Sequence, residues 1–415
     1  MNISILAIGD EILSGKTQDK NINSAANFLM QQGLSLSSSS FCKDNIQTIH
    51  ANMDFHLKSS DVLIITGGIG PTKDDLTKLA VAQYFDKKIE FNQSAKDITI
   101  ENYKRFNREI SDHHTYFDAP KDFLIFSNPM GLAPGLGFYD DKNKKLVLCA
   151  PGVPREFKLM LKDSFFETIK SKFELDEKSY KQVLVRTKGI PEEKIFQEVD
   201  KDLWSKLEKF GKVASLPQFY GVDIVVSFNS FDSEFEEIKS KILDIFNNSP
   251  IQNQIWQIGS KSPMEFLFSL LSDKNKTISF AESCSGGYCS HLLTDISGSS
   301  KVFNGSVVSY SNEVKKSILD VSDENLVKLG AVSEPVAKEM AIGTRKKCES
   351  DYSISFTGIA GPTGGSEEKP VGTVCIGIDS DEFSETKTFY LKGDRKTLKK
   401  RFVTAGILYL IDKIR

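Results

Sequence analysis

The sequence predicts an α/β protein built from several domains. Its 415 residues are more than one ordinary hydrophobic core accommodates, so we expect two or three domains. Short apolar runs, of which 61–66 is the clearest, alternate with amphipathic helical segments, as in domains with a parallel sheet. Glycine-bearing loops follow several of these runs, and ligands bind at that edge of such sheets.

Composition and charge narrow the class of protein. Hydrophobic residues make up 40% of the chain and charged residues 26%, which is typical of a soluble globular protein. The net charge of −3 gives no reason to expect binding to nucleic acid or to a membrane. No run reaches the roughly 18 apolar residues of a membrane helix, and we recognise no signal peptide. The six cysteines form no Cys-x-x-Cys pair, which favours a reducing compartment, so we expect a cytoplasmic protein.

The first predicted domain, residues 1–170, has two carboxylates directly after its first strand. Asp10 and Glu11 follow the apolar run 3–8 and precede a helix predicted for residues 17–32. This position suits a metal ion or a polar ligand. A solvated loop is nevertheless the simpler explanation of an isolated Gly-Asp-Glu.

A second loop, 67–77, follows the apolar strand 61–66. Its three glycines allow a ligand to approach the backbone closely. We expect Thr72 to cap a helix with Asp74 and Asp75 in its first turn, where the helix dipole alone explains both aspartates. Glycines with exposed N–H groups beside two carboxylates also fit a phosphate with a divalent cation.

Four motifs in the first domain resemble the molybdopterin-binding (MoaB/MogA-like) domain that occurs at the N-terminus of CinA proteins. They are Gly9–Gly15, Thr66–Asp75, Asn128–Gly135 and Pro151–Glu156. In that family the domain is linked to metal-dependent hydrolysis of ADP-ribose. The resemblance implies a divalent cation of the Mg²⁺, Mn²⁺ or Co²⁺ class on Asp10, Glu11, Asp74 and Asp75. The substrate-binding residues that it implies are Gly67, Gly68, Gly70, Thr72, Asn128, Pro129, Gly131, Pro134, Gly135, Pro151 and Gly152.

The middle segment, residues 175–250, predicts a small α+β unit. A charged helical stretch from 164 to 178 leads into it, and an amphipathic helix is predicted for 231–246. Its predicted strands are 182–186, 212–216 and 222–228. CinA proteins carry a small KH-like domain here, but the segment has no Gly-x-x-Gly loop, which a KH domain needs to bind nucleic acid. We therefore predict a spacer or dimer element rather than an RNA-binding domain.

The last predicted domain, residues 258–415, is organised around the stretch 277–293. Ile278 and Phe280 alternate as in a short buried strand, and a helix follows at Tyr288. The turn between them holds small polar residues, and the free N–H groups at the helix start favour an anion. A serine N-cap followed by a glycine turn is the commoner explanation of such a stretch taken alone.

A serine nucleophile in that turn would need a base. His291 lies inside the helix that follows the turn, so a lysine is the other candidate. Lys315 lies in a helix that we expect Asn312 to cap. If Lys315 packs beside Ser283, partial desolvation would allow its amine to accept the serine proton. Most lysines, however, are solvated helix residues.

Four motifs here resemble the CinA C-terminal domain, the nicotinamide-nucleotide amidase PncC. They are Ala281–Gly287, Ser309–Lys315, Thr357–Gly365 and Lys369–Thr373. That family hydrolyses the carboxamide of nicotinamide mononucleotide (NMN) to nicotinate mononucleotide and ammonia. The resemblance implies Ser283 as nucleophile, Tyr310 and Lys315 as its activators, and no cofactor, although the sequence does not separate Ser283 from Ser285. The substrate-binding residues that it implies are Glu282, Cys284, Ser285, Gly286, Gly287, Asn312, Thr357, Gly358, Gly361, Gly364 and, for the phosphate, Arg395.

The resemblance covers essentially the whole chain in the domain order of the family. It implies a bifunctional pyridine-nucleotide salvage enzyme that deamidates NMN and hydrolyses ADP-ribose, assembled as a homodimer. For the first domain an alternative stays open, because sister domains of that fold bind pterins. The domain would then be a pterin-binding or competence-associated interaction module without turnover.

Overall fold

The computed structural model describes residues 1–175 and 178–415, which divide between two compact units. One unit comprises residues 1–181 and 228–236, and the other comprises 182–227 and 237–415. The predicted helical stretch 164–178 runs over residues 176 and 177, which lie outside the described residues. The α/β fold class is confirmed, because strands and helices alternate along both units.

The N-terminal part alternates strands with helices from the first strand onward. Its strands are β1 (Ile3–Ile8), β2 (Leu36–Cys42), β3 (Val62–Thr66), β4 (Ile89–Phe91), β5 (Asp118–Pro120), β6 (Leu124–Phe126), β7 (Gly135–Asp140) and β8 (Lys145–Ala150). Its helices are α1 (Asp10–Leu13), α2 (Asn21–Gln31), α3 (Ile46–Leu57), α4 (Thr77–Tyr84), α5 (Gln93–Arg105), α6 (Pro154–Met160) and α7 (Phe166–Lys172).

The main N-terminal sheet has the strand order β2-β1-β3-β8-β7-β6. The first four strands run parallel, and β7 and β6 are antiparallel additions at one side. Every residue of β1 and β3 is buried, as expected for central strands covered on both faces. The parallel sheet and the β7–β8 hairpin are thus confirmed, and the loops after β1, β2, β3 and β8 meet at one edge.

The start of α2 differs from the prediction. The helix begins at Asn21 rather than at residue 17. The carboxylate of Asp19 accepts the backbone N–H groups of Asn21 and Ile22, at 3.3 and 3.0 Å, and so closes the first turn. The residues before it remain in the loop that follows β1.

The expectation that Thr72 caps a helix is also wrong. The helix begins at Thr77, so Asp74 and Asp75 lie in the preceding loop and not in a first helical turn. The Thr72 N–H donates to Asp75 Oδ2 at 2.9 Å, and the Thr77 hydroxyl donates to the Gly67 carbonyl at 2.7 Å. These bonds hold the glycine loop together. Because Asp74 and Asp75 lie outside the helix, the helix dipole does not explain their presence.

The middle segment is a small α+β region, as predicted. It contains β9 (Ser179–Thr187), α8 (Leu203–Glu208), β10 (Lys212–Gln218), β11 (Gly221–Ser230), α9 (Asp232–Asn247) and β12 (Ile255–Ile258). The strand order is β10-β11-β9-β12, and β10 pairs antiparallel with β11. The three predicted strands are confirmed, while the KH-like resemblance stays a prediction.

The C-terminal part forms a second α/β sheet. Its strands are β13 (Ile278–Glu282), β14 (Phe303–Val308), β15 (Tyr352–Gly358), β16 (Thr373–Asp379) and β17 (Ser384–Tyr390). Its helices are α10 (Pro263–Asp273), α11 (Tyr288–Thr294), α12 (Asn312–Leu319), α13 (Asp323–Leu329), α14 (Glu334–Cys348) and α15 (Arg395–Ile414).

The order of that sheet is β14-β13-β15-β16-β17, with β13 parallel to both of its neighbours. Phe280 packs into the core that contains Phe402 of α15, while the next residue, Ala281, packs with Met340 of α14 on the other face. The carboxyl ends of β13, β14 and β15 therefore bring three loops to the same edge. No helix in the described part of the chain combines the length and apolar character needed to cross a membrane.

Candidate active sites

A serine and a buried lysine meet at the carboxyl ends of β13 and β14. The Lys315 Nζ lies 3.0 Å from the Ser283 Oγ, and it donates to the Ser309 carbonyl at 2.8 Å. Lys315 is only 1% exposed. Burial lowers the pKa of the Lys315 amine, which increases the neutral fraction that can accept a proton. The predicted pairing of Ser283 with Lys315 is therefore present in the structure.

The turn after β13 explains why the serine is presented there. The Ser283 N–H donates to the Phe356 carbonyl on β15 at 3.0 Å, which ties the turn to the central sheet. Gly286 and Gly287 have φ angles of +58° and +86°, a conformation that side chains other than glycine rarely adopt. The chain can thus reverse into α11 while the serine hydroxyl stays at the sheet edge.

The other polar groups of this turn are less suited to catalysis. Ser285 is fully buried, and the described residues provide no hydrogen-bond partner for its hydroxyl. Cys284 lies in the hydrophobic core, and burial raises the pKa of its thiol to about 12, so the thiol stays protonated. The geometry favours Ser283 over both neighbours as the nucleophile.

Glu282 has a different position from the one expected of a substrate-binding residue. Its carboxylate is fully buried and accepts the N–H groups of Cys289 and Ser290 at 3.0 and 2.9 Å, and the Ser290 hydroxyl at 2.6 Å. These N–H groups at the start of α11, which we expected to be free for an anion, are already occupied. Glu282 therefore positions the helix behind the serine turn.

The position of the Tyr310 side chain differs from that expected of an activator of Ser283. Its side chain is 63% exposed, and its hydroxyl accepts a hydrogen bond from Arg395 Nη2 at 3.1 Å. The backbone carbonyl of Tyr310, rather than its phenol, lies near Lys315 Nζ, at 3.5 Å. Arg395 Nη1 also donates to the Gly361 carbonyl at 2.8 Å, so Arg395 connects two of the loops.

The remaining predicted residues of this site support the loops. The Thr357 hydroxyl is buried and donates to the Ala331 carbonyl at 2.7 Å. Asn312 is exposed, and the expectation that it caps α12 is wrong, because Ser311 accepts the N–H of Val314 and is the cap. The glycines that follow or end β15 are Gly358, Gly361 and Gly364.

A second cation, which we did not predict, lies over the serine turn. A Cβ atom built on Gly286 would be 3.6 Å from the Lys399 Nζ. Lys399 lies one helical turn after Arg395 on α15, so the two cations lie on the same helix face. This i, i+4 spacing was visible in the sequence, but only the packing of α15 beside the turn makes it informative.

Carboxylates also collect at the edge of the N-terminal sheet. A cavity of about 380 Å³ is lined by four that matter here, Glu11, Asp44, Asp74 and Asp75. Sequence reasoning missed Asp44, which follows β2 and accepts the N–H of Asp10 at 3.0 Å. Burial raises the pKa of Asp44, and the negative charges of Asp10, Glu11 and Asp74 raise it further. A divalent cation would relieve this repulsion.

The predicted metal ligands do not form a complete protein cage. Among the described residues, no group of three or more histidine, cysteine or acidic side chains is arranged to hold a metal ion. Carboxylate oxygens nevertheless suit a hard divalent cation, and Mg²⁺ commonly takes one or two carboxylates together with substrate phosphates. The donor set therefore fits an ion that would be bound jointly with a phosphate ligand.

A second cavity, of about 430 Å³, adjoins the acidic one. Its lining includes Arg108, Tyr116 and Glu156. Both cavities are bordered by Gly68, Asp75, Gly152 and Val153, so together they form an elongated cleft. The predicted residues Gly70, Gly131 and Pro151 line the second cavity.

Other residues predicted to bind the ligand instead hold the cleft in shape. Gly67 has a φ of +103°, and a Cβ there would lie 2.2 Å from the Ile8 carbonyl oxygen. The buried Asn128 side chain donates to the Ala133 carbonyl and to Glu156 Oε2 at 2.8 and 2.6 Å. In the loop from Asn128 to β7, Pro129 is exposed and Pro134 is buried, and a Cβ on Gly135 would meet the Met160 side chain.

Known proteins share this domain arrangement. The model of the CinA C-terminal domain matches residues 260–414, and that described as "Probable molybdopterin binding domain" matches residues 4–171. A CinA-like protein of Petrotoga mobilis is 35% identical over 418 residues, which cover 100% of this chain and 99% of that protein. The chain belongs to the CinA family. A CinA-like protein of Fervidobacterium nodosum is also 35% identical, over 96% of this chain and 94% of that protein.

Solved structures match part of the chain. The competence-damaged protein (CinA) superfamily protein from Escherichia coli is 32% identical, covers 36% of this chain and 90% of its own, and has a TM-score of 0.35. The family assignment confirms the two flanking domains that the motifs predicted, a MoaB/MogA-like domain and a CinA C-terminal domain.

Replacing Glu282 tests its structural role. The change Glu282→Ala should destabilise the C-terminal unit by roughly 3 kcal/mol, because two backbone N–H groups and one hydroxyl lose a charged acceptor in a buried place. Urea unfolding of the full chain measures this loss. The control is Glu324→Ala, which removes an exposed pair with Lys328 and should change stability by less than about 0.5 kcal/mol. Equal stability of the two variants would contradict the role given to Glu282.

Proposed function

We propose that the C-terminal domain of this CinA-family chain is a nicotinamide-nucleotide amidase. The observation that carries the proposal is the 3.0 Å contact between the Ser283 hydroxyl and the buried Lys315 amine. The resemblance of the surrounding motifs to the PncC amidases supplies the substrate, NMN. The glycine turn beside Arg395 and Lys399 offers two cations for the single phosphate of that substrate.

The chemistry follows from the two side chains. Ser283 Oγ attacks the carboxamide carbon while neutral Lys315 Nζ takes the hydroxyl proton. That proton passes to the amide nitrogen, the C–N bond breaks, ammonia leaves, and an ester remains on Ser283. Water then attacks the ester carbon, Lys315 accepts a proton from the water and returns it to Ser283 Oγ, and nicotinate mononucleotide is released.

For the N-terminal domain we propose metal-dependent hydrolysis of ADP-ribose at its diphosphate. The elongated cleft supports this, because its acidic end suits a cation–diphosphate pair and its other end offers Tyr116 and Arg108 to the remainder of the ligand. A bound divalent cation would neutralise the diphosphate charge and lower the pKa of the attacking water. One or two of the carboxylates Glu11, Asp44 and Asp74 would bind that ion together with the phosphate oxygens, which the glycine loop Gly67–Gly70 would approach.

We further propose that the protein acts as a homodimer. The family resemblance supports this proposal. The middle segment has no Gly-x-x-Gly loop with which to bind nucleic acid, so we assign it the role of a dimer element instead.

Removal of the nucleophile is the first test of the amidase. The variant Ser283→Ala should lose ammonia release from NMN by at least about 10³-fold, because no other hydroxyl lies beside the Lys315 amine in the described residues. The rate is measured with a coupled ammonia assay on the full chain. Ser285→Ala is the matched control and should retain a rate within about threefold of the parent, since its buried hydroxyl makes no hydrogen bond to the amine. Loss of activity in Ser285→Ala alone would reverse the assignment.

The pH profile tests the lysine. Because burial lowers the pKa of Lys315, the amidase rate should rise as pH increases and level off below the pKa of a free lysine. Lys315→Arg and Lys315→Met should both lose about 10²–10⁴-fold in kcat, because an arginine stays protonated and a methionine has no basic group. A variant Lys316→Met, one residue away on the exposed face, serves as the control. A flat profile, or an active Lys315→Arg, would rule out the amine as base.

Metal removal tests the N-terminal proposal. EDTA should abolish release of AMP from ADP-ribose and leave ammonia release from NMN unchanged, because the amidase residues need no metal. Asp44→Asn should weaken Mn²⁺ binding and lower the ADP-ribose rate by roughly 10–100-fold, while the exposed Glu90→Gln should change neither. A domain that binds a pterin and leaves ADP-ribose intact would instead support the interaction module without turnover.

A further inference from the structure

A third cavity, of about 480 Å³, lies within the C-terminal unit and apart from the serine–lysine pair. One side comes from the loops after β9 and β10, at Lys188 and Phe219. The other side comes from β17 and α15, at Lys387 and Arg401. The volume falls within the range of about 300–1,000 Å³ that small-molecule sites occupy.

Aromatic rings form much of the wall. Phe219 and Tyr220 pack edge to face with their centroids 5.2 Å apart, and Phe389 and Tyr409 do so at 6.3 Å. The Arg401 guanidinium lies 5.6 Å from the centroid of the Phe219 ring. Such a wall offers flat apolar surfaces to a planar ring system.

Positive charge is in excess around the same space. Lys188, Lys387 and Arg401 line the cavity, whereas Asp412 is the acidic residue of the lining and forms an ion pair with Lys188. Burial lowers the pKa of Lys188 to about 8, and the charges of Arg415 and Lys387 contribute to this shift. The unbalanced cations Lys387 and Arg401 favour an anionic ligand.

Apart from the Lys188–Asp412 ion pair, two polar atoms of the lining residues have unused hydrogen-bonding capacity. Gln254 Oε1 and Arg401 Nε are buried and have no hydrogen-bond partner in the part of the chain that the structure describes. Buried polar atoms without a partner are rare in proteins. A ligand that donates to Gln254 and accepts from Arg401 would satisfy both atoms.

We propose that this cavity binds a nucleoside phosphate. The base lies against Phe219 and Tyr409 and donates an N–H to Gln254 Oε1, and the phosphate is bound by Lys387 and Arg401. Planar rings account for the aromatic wall, and the phosphate accounts for the excess of cations. The inference does not depend on the proposed amidase, because none of these residues belongs to the serine–lysine site.

Photolabelling of the full chain locates the site directly. The probe is 8-azido-AMP, and labelled peptides are identified by mass spectrometry. We expect labels in the peptide that contains Phe219 and Tyr220 and at the residues next to Phe389 or Tyr409, and we expect excess AMP to protect these positions. Labels confined to the serine turn 283–287 or to the glycine loop 67–70 would overturn the proposal, as would the absence of any protectable label.

Calorimetry with AMP tests the named contacts. Lys387→Ala should weaken AMP binding in this cavity about tenfold through the lost charge contact. Ala405→Trp, which fills the cavity, should abolish AMP binding there and leave any AMP binding at the N-terminal cleft unchanged. Lys400→Ala, an exposed lysine of α15 outside the lining, should bind AMP as the parent does. Inorganic phosphate alone should bind at least about tenfold more weakly than AMP, because it lacks the stacking base. Equal AMP affinity in the parent, Lys387→Ala and Ala405→Trp would refute the site.

Discussion

The loops of the C-terminal domain are arranged around one contact, between the buried Lys315 amine and the Ser283 hydroxyl. A desolvated amine is costly, so it must be surrounded by acceptors, and the Ser309 carbonyl and the Ser283 hydroxyl provide them. Three parallel strands end at this point, and each contributes one loop. Glu282 stabilises the start of the helix behind the serine, which frees the serine side chain itself from a capping role. The same burial that fixes the lysine in place also lowers the pKa of its amine.

The N-terminal domain has its candidate site at the same edge of a parallel sheet, with different side chains. Its loops bring together carboxylates rather than a base and a nucleophile. Burial raises the pKa of Asp44, and the negative charges of its neighbours raise it further. The glycines nearby are required by space as well as by conformation, as the close approach of Gly67 to Ile8 shows. The elongated cleft at this edge is the feature that supports the proposed diphosphate ligand.

Helix α15 connects the features of the C-terminal unit. Its first residue, Arg395, contacts the loops of the serine site, and Lys399 lies over the glycine turn. Two residues after Lys399, Arg401 lines the aromatic cavity, and Tyr409 lines it further along the helix. The buried face of the helix, which includes Phe402, packs into the main core, so these side chains have fixed relative positions.

The sequence by itself determined the α/β class, the order of the domains and the identity of the motif residues. Apolar periodicity and glycine-rich loops are local properties, and they predicted the parallel strands. The pairing of Ser283 with Lys315 was implied by the family resemblance of the motifs. Local reasoning failed at Thr72, whose N–H donates to Asp75 in the loop before α4 begins at Thr77. It failed at Asn312 because the preceding residue, Ser311, caps α12.

Only the tertiary structure decided which polar residues share a site. Asp44 and Lys399 are ordinary residues in the sequence, and they become informative because the sheet edge and the packing of α15 bring them to the two sites. Glu282 is the opposite case. It lies in a motif that predicted a substrate-binding role, but its carboxylate instead stabilises the start of α11. Burial and proximity depend on contacts between residues far apart in the chain, and for that reason they cannot be obtained from the local pattern of the sequence.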